Sequence, residues 1–146
     1  MEVEIKIDAN CHAPKIVIVT DSVTEAIKAL AEKLSSEDRQ VITAFKDNTV
    51  KILEPDEIIR IYSFDGKIAA VTDSGEFFLR RRLYELEELL ERKKFVRISN
   101  SEIINLKRVK EFDLSAAGTI CVSLSNSETT YVSRRYVSKI KKILGI

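Results

Sequence analysis

The chain has 146 residues, 45% of them hydrophobic, with 24 basic against 23 acidic side chains and a formal net charge of +1. That is enough apolar material for one ordinary domain, or a small domain with an appendage, and it excludes an intrinsically disordered chain. Near-neutrality argues against a non-specific nucleic-acid binder, and no apolar run approaches the roughly 18 residues of a membrane span.

The acidic start, Met1-Glu2-Val3-Glu4, lacks the basic and apolar regions of a secretion signal. Cys11 and Cys121 lie far apart without metal-ligand spacing, which suits a reducing cytoplasm. Glu2–Asp8 alternates Val3, Ile5 and Ile7 with charged residues, the period of a half-buried strand. Pro14 opens a second strand-like run, Lys15–Thr20, whose branched residues suit burial on both faces. Ser22 and Glu25 form a capping-box pattern. Val23, Ala26, Ile27, Leu30, Ala31 and Leu34 then repeat at helical spacing, predicting a helix over about 22–35 that ends at Ser35-Ser36-Glu37-Asp38. Gln40–Phe45 reads as a strand and Val50–Leu53 as a further one. Residues 1–53 are thus expected to form a β-β-α-β appendage.

Glu54-Pro55-Asp56 supplies the expected boundary, since proline disfavours helix just before it. Ile58–Phe64 and Lys67–Thr72 flank Asp65-Gly66, a type I′ hairpin signal. Asp73-Ser74-Gly75 turns the chain before a strand at Glu76–Arg80, and Leu83, Leu86, Leu89 and Leu90 mark a short helix. Strands are predicted near 95–99, 103–106, 110–115, 119–125 and 128–133, followed by a helix over about 134–144. The fold class expected is α+β, with a small N-terminal segment (1–53) ahead of a predominantly β domain with short helices (54–146).

Charge is unevenly spread. Residues 1–54 hold 7 bases and 10 acids, residues 55–91 hold 5 and 9, and residues 92–146 hold 12 and 4. A local excess of bases is the footprint of a DNA-contacting face, or simply a solvated basic tail.

Two segments decide between these readings. One is Phe95-Val96-Arg97-Ile98-Ser99-Asn100-Ser101-Glu102-Ile103-Ile104-Asn105-Leu106-Lys107-Arg108-Val109; the other is Tyr131-Val132-Ser133-Arg134-Arg135-Tyr136-Val137-Ser138-Lys139-Ile140. Together they resemble the LytTR family of bacterial DNA-binding domains. In that family a strand ends in a polar turn carrying Ser or Asn and continues into an Ile/Val-Asn-Leu segment. A later strand runs through Val-Ser-Arg-Arg into a C-terminal helix. The resemblance covers roughly the last ninety residues. It implies a largely β-stranded domain whose inter-strand loops enter DNA grooves, and it implies paired sites bound by a homodimer.

Three loops carry the candidate chemistry. Ser99-Asn100-Ser101 has the small polar residues any turn requires. Asn can also pair with N6 and N7 of adenine in the major groove, and the resemblance places a DNA-reading loop here. Ser133 is a candidate N-cap that puts Arg134 and Arg135 in the first helical turn, where the helix dipole disfavours cations. Such a broken rule points either to a phosphate or guanine contact or to a carboxylate partner such as Glu102 or Glu128. At the Asp65-Gly66 hairpin, which the resemblance brings close to DNA, Gly66 stands where many members carry a larger polar side chain. That leaves Lys67 as the contact expected from this loop. Lys107 and Lys139 are further expected phosphate contacts. Arg80-Arg81-Arg82, just ahead of a helix in the acidic segment, reads as a solvated or salt-bridged face rather than a DNA contact.

Enzymatic readings find little support. The single histidine, His12, adjoins Cys11 in a loop without further ligands, and no P-loop, dinucleotide fingerprint or nucleophile elbow is present. Asp21 follows a strand-like run as a receiver aspartate does. A segment of this length cannot make a receiver fold, so Asp21 reads as flanking the helix. No cofactor or metal is expected. The reading is a cytoplasmic, sequence-specific bacterial transcriptional regulator acting on double-stranded DNA, with residues 1–53 serving dimerisation, a partner protein or a small-molecule effector. The alternative is a protein- or ligand-binding sensory module whose basic face is incidental. An RNA-binding sheet is a third option, although Phe95, Phe112 and Tyr131 form no stacking motif. Clustering of Lys67, Asn100, Arg134, Arg135 and Lys139 on one face is the observation that separates these readings.

Overall fold

Residues 1–35 and 41–146 are described by the computed structural model, and the chain divides into two units, Met1–Asp38 and Arg39–Ile146. In the first unit helix α1 spans Glu25–Ser35, with acidic Glu25 in its first turn and basic Lys33 in its last. Its cap is Thr24 rather than Ser22: the Thr24 hydroxyl accepts from the Ile27 amide at 3.2 Å, and its carbonyl takes the first helical bond from Lys28. The two strands expected at 2–8 and 15–20 do not form. Val3, Ile5 and Ile7 are 88%, 88% and 94% exposed. An alternating pattern stabilises a strand only when a neighbouring edge takes up its backbone groups, and among the described residues no edge pairs with these. The expected helix stop Ser36-Glu37-Asp38 and the first residue of the expected strand, Gln40, lie outside the described residues.

The second unit is built on a seven-stranded antiparallel sheet. Its strands are β1 (Ile42–Lys46), β2 (Thr49–Leu53), β3 (Ile58–Phe64), β4 (Lys67–Thr72), β5 (Gly75–Leu79), β6 (Phe95–Ser99) and β7 (Glu102–Asn105), in the order β2-β1-β5-β4-β3-β7-β6. The structure moves the expected boundary at residue 54, because β1 and β2 belong to this sheet: β1 pairs with β5 through Phe45 and Phe78. Pro55 marks a corner, not a linker. It opens a 3-10 turn, Pro55–Glu57, closed by a reciprocal capping box between Glu54 and Glu57. At the β3–β4 hairpin, Asp65 and Gly66 have φ of 52° and 74°, the two positive values that a type I′ turn requires.

Helix α2 (Leu83–Leu89) lies against this sheet. Leu83, Leu86 and Leu90 join Ile42, Leu53, Ile58, Ile61, Phe77 and Ile103 in one buried cluster. A second, three-stranded sheet has β9 (Ile120–Leu124) between β10 (Thr129–Val132) and β8 (Val109–Asp113). The alternating Ile120, Val122 and Leu124 point into a second cluster that includes Ile59, Ile98, Ile104, Val132 and Ile140 of the terminal helix α3 (Arg134–Leu144). Each such fully buried side chain contributes about 1.5–3 kcal/mol. The fold class is therefore α+β, as expected. No helix among the described residues is long and apolar enough to cross a membrane.

A polar network ties the two sheets. Glu102 of β7 is only 7% exposed, and it accepts hydrogen bonds from Arg60 of β3 at 3.0 Å and from the Thr130 hydroxyl of β10 at 2.6 Å. Arg60 also reaches Glu128 at 3.0 Å. Its guanidinium covers the Tyr62 ring, and the Tyr62 hydroxyl donates to Glu76. That bond, with burial, holds the Tyr62 phenol above its ordinary pKa.

Asn105, the asparagine of the Ile-Asn-Leu segment, is a structural clamp. At 1% exposure it donates to the Ile58 carbonyl at 2.9 Å and accepts from the Lys107 amide at 3.0 Å, joining β3 to the turn after β7. Asn105→Ala is expected to destabilise the fold by about 1–3 kcal/mol through the orphaned buried groups. Urea denaturation checks this, and an unchanged midpoint would show that the clamp carries no weight.

Candidate nucleic-acid interface

The turn between β6 and β7 is shaped by its own chemistry and then held from outside. Pairing passes from Arg97–Ile103 to Ser99–Glu102, so β6 carries one extra residue, a bulge that re-aims the strand end. Within the turn the Ser99 hydroxyl accepts from the Ser101 amide at 3.2 Å. Arg97 then folds back on the turn. Its Nε donates to the Ser99 carbonyl at 2.8 Å, one terminal nitrogen donates to the Asn100 carbonyl at 2.5 Å, and the other meets Glu87 of α2 at 2.8 Å. A planar guanidinium satisfies three acceptors at once in a way that lysine cannot.

Helix α3 docks on the same turn. Its N-cap is Ser133, as the sequence indicates, in extended conformation and without a side-chain cap bond. The Ser133 amide donates to the Ile98 carbonyl at 2.9 Å. One helical turn on, the Tyr136 hydroxyl donates to Asn100 Oδ1 at 3.2 Å. This orients the Asn100 amide, leaving its NH₂ and a second lone pair of Oδ1 available on an exposed residue. Arg134 and Arg135 are exposed beside this turn. The two carboxylates considered as their partners, Glu102 and Glu128, both pair with Arg60. Among the described residues no carboxylate lies within ion-pair distance of either arginine. The Arg134 guanidinium passes close to Gly118, where an added Cβ would meet its Nε at 3.5 Å.

The remaining expected residues divide. The Ser63 amide at the end of β3 donates to the Ser101 carbonyl at 2.8 Å, so the Asp65-Gly66 hairpin and exposed Lys67 stand at the same end of the sheet as Ser99-Asn100-Ser101. Lys139 lies on α3 one turn beyond Arg135, with its ammonium 3.8 Å from Glu87. Lys107 is not brought to this end. It follows the far end of β7, roughly 14 Å along the strand direction, near the group formed by Lys94, Asp56, Arg108 and Asp73. Asp56 and Glu91 hold the Lys94 ammonium above its ordinary pKa. Arg97 and Tyr136 were not singled out from the sequence. Arg97 stands in a strand where its charge reads as one more base, and only the fold shows that it turns back onto its own chain.

Two packed sheets and a terminal helix, with polar turns gathered at one sheet end, define a β-rich domain unlike a helix-turn-helix: no two α-helices are consecutive among the described residues. Residues 48–145 match the LytTr DNA-binding domain family. The chain belongs to that family. A solved LytTr DNA-binding domain from Bacillus cereus superposes with a TM-score of 0.70 at 24% identity, covering 73% of this chain and 97% of that one, and so shares the fold. Among relatives, uncharacterized HTH-type transcriptional regulators of Staphylococcus aureus strains NCTC 8325 / PS 47 and COL are each 33% identical over 135 residues, covering 92% of this chain and 87% of theirs.

Arg97→Lys keeps the charge and loses the fork. It is expected to weaken binding of a selected duplex about tenfold, about 1.4 kcal/mol. The salt dependence should stay unchanged, because Glu87 and not a phosphate holds this charge. A salt slope lowered by about one unit would instead make Arg97 a phosphate contact. Binding titrations at several salt concentrations decide between the two.

Proposed function

We propose that this protein is a transcriptional regulator that reads duplex DNA with the inter-strand loops of its second unit. The observation that carries the proposal is the junction of the Ser99-Asn100-Ser101 turn with the start of α3. An oriented asparagine amide and two arginines that meet no carboxylate among the described residues share one exposed corner of an otherwise braced structure. Asparagine and arginine are the side chains that pair in two-bond fashion with adenine and guanine. Arg134, Lys67, Lys139 and the hydroxyls of Ser99, Ser101 and Ser133 are assigned to the sugar–phosphate backbone, positioning the domain while Asn100 and Arg135 specify sequence. Lys107, at the other end of the sheet, is left outside the interface. The names of the Staphylococcus relatives support the regulatory role.

Selection of bound genomic fragments should return a preferred site. On that site Asn100→Ala or Arg135→Ala is expected to cost about 1–3 kcal/mol and to relax preference at one position. Arg134→Gln should weaken all duplexes alike and lower the log–log salt slope by about one unit, with Lys107→Gln as the silent control. If Asn100→Ala and Arg135→Ala both bind selected and scrambled duplexes as the parent does, the base-reading assignment fails.

Met1–Asp38 is assigned to assembly or signal input. It holds 4 bases against 8 acids, so phosphate repels it, and its strand-like runs expose aliphatic side chains that no described strand pairs with. If this unit joins two copies, linkage raises avidity for paired sites by roughly 10²–10⁴ when the spacing suits. A chain beginning at Val41 keeps β1 and β2 and should bind single half-sites with unaltered preference while losing most of its affinity for paired ones. Sedimentation of this fragment beside the full chain is the check, and a dimer with undiminished paired-site affinity would assign the first unit another role.

A further inference from the structure

The strand register collects more than the expected loops at one end of the large sheet. Antiparallel pairing of Ile68 with Leu79 places Lys67, one residue before, beside Arg80, one residue after. The run Arg80-Arg81-Arg82 therefore leaves β5 at the same end from which the β3–β4 hairpin and the Ser99–Ser101 turn project. All three arginines are exposed, and among the described residues none has a carboxylate within ion-pair distance. Of the two alternatives to a DNA contact, the solvated face is the one seen among the described residues, in place of an ion pair.

Arg80 and its neighbour Lys67 are also propped in place. The Arg80 guanidinium lies 4.1 Å from the centre of the Phe45 ring, and the Lys67 ammonium 5.5 Å from that of Phe78. Phe45 and Phe78 are directly paired across β1 and β5. With the 69%-exposed Phe64, Lys67 and Arg80–Arg82 they line an open depression of about 820 Å³. Cations held over ring faces keep their charge while losing conformational freedom, so an arriving anion orders less of the chain.

We infer that Arg80–Arg82, with Lys67, form a second phosphate-binding element that receives the duplex backbone beyond the base-reading turn. This rests on the loop-reading proposal and extends its footprint. The occupant is argued from charge complementarity and from continuity. From β5 to β7 is three strand spacings, roughly 14 Å, or about four base-pair steps at the 1.7 Å per charge of duplex DNA. A duplex held at the Ser99–Ser101 turn and lying along this sheet end brings its flanking phosphates to the arginines.

The test uses the full chain with Arg81→Gln, Arg82→Gln and the double variant, each with a lysine counterpart. Two duplexes carry the same selected site, one trimmed at its borders and one with about ten further base pairs on each side. The parent should prefer the longer duplex. Each glutamine variant should lower the salt slope on it by about one unit and narrow the length preference, the lysine counterparts should restore both, and the trimmed duplex should bind nearly as before. Unchanged slope and unchanged length preference in the double variant overturn the inference, and the patch then belongs to another anionic partner, such as an acidic protein segment, or to none. Asn100→Ala is measured alongside. If it alone alters sequence preference, the loop reading stands while this extension fails, and if neither responds, the loop reading has failed with it.

Discussion

The position of Glu102 is the constraint on which the remaining geometry depends. It is a carboxylate buried at the junction of two sheets, at the residue where the exposed turn becomes core. A charge there is tolerated because Arg60 and Thr130 meet both of its oxygens. Leaving such a group without its partners costs about 3–5 kcal/mol, so the register of β3, β7 and β10 is fixed together. Shifting any one of them by a residue would turn Glu102 or its partners to the opposite face. The turn that ends one residue earlier inherits that precision. Arg97 and Tyr136 then hold a loop whose root is already anchored.

The distribution of charge gains meaning once partners are assigned. The basic excess of residues 92–146 overstates the free positive face, because Arg97, Arg108, Lys94 and Lys139 each meet a carboxylate. The acidic middle segment understates it, because Lys67 and Arg80–Arg82 have none among the described residues. Summed charge along the chain therefore does not outline the positive surface. A surface potential depends on which charges are neutralised locally, and antiparallel pairing brings residues 67, 80 and 101 to one end although they lie far apart in sequence.

What could be read in advance follows the same division between local and non-local causes. The type I′ hairpin was legible because Asp65-Gly66 states its own backbone requirement, and β9 was legible because Ile120, Val122 and Leu124 alternate with small polar residues. The cap of α1 was displaced by two residues because Ser22 and Thr24 offer equivalent hydroxyls, and only the helix start chooses between them. Glu2–Asp8 shows the limit most clearly: its pattern is that of a strand, but a strand exists only with a partner edge, which no local pattern reports. Pro55 misled for a related reason, since a proline that opens a 3-10 turn inside a sheet looks the same in sequence as one that ends a domain. The asparagine of the turn and that of the Ile-Asn-Leu segment are the same residue type five positions apart. Burial alone makes one a clamp and leaves the other exposed.

Under the loop-reading proposal, presenting contacts from strand ends has a geometric consequence that a recognition helix lacks. A helix places its contacts within one groove, whereas the ends of β5, β4, β3, β7 and β6 are spread over four strand spacings, roughly 19 Å. The major groove is about 12 Å wide, so loops spread this far cannot sit side by side across one groove. Sheet twist of about 20–25° per strand accumulates over that distance to nearly a right angle. The loops therefore lie along a line that turns as it advances, and a duplex groove turns likewise. Rigidity matters more in such an arrangement than in a helical reader, because each contact depends on the register of a different strand. That requirement accounts for a buried ion pair within the large sheet, hydrogen-bonded across to β10, and an arginine fork beneath an exposed turn, two devices a domain needing only stability could replace with apolar packing.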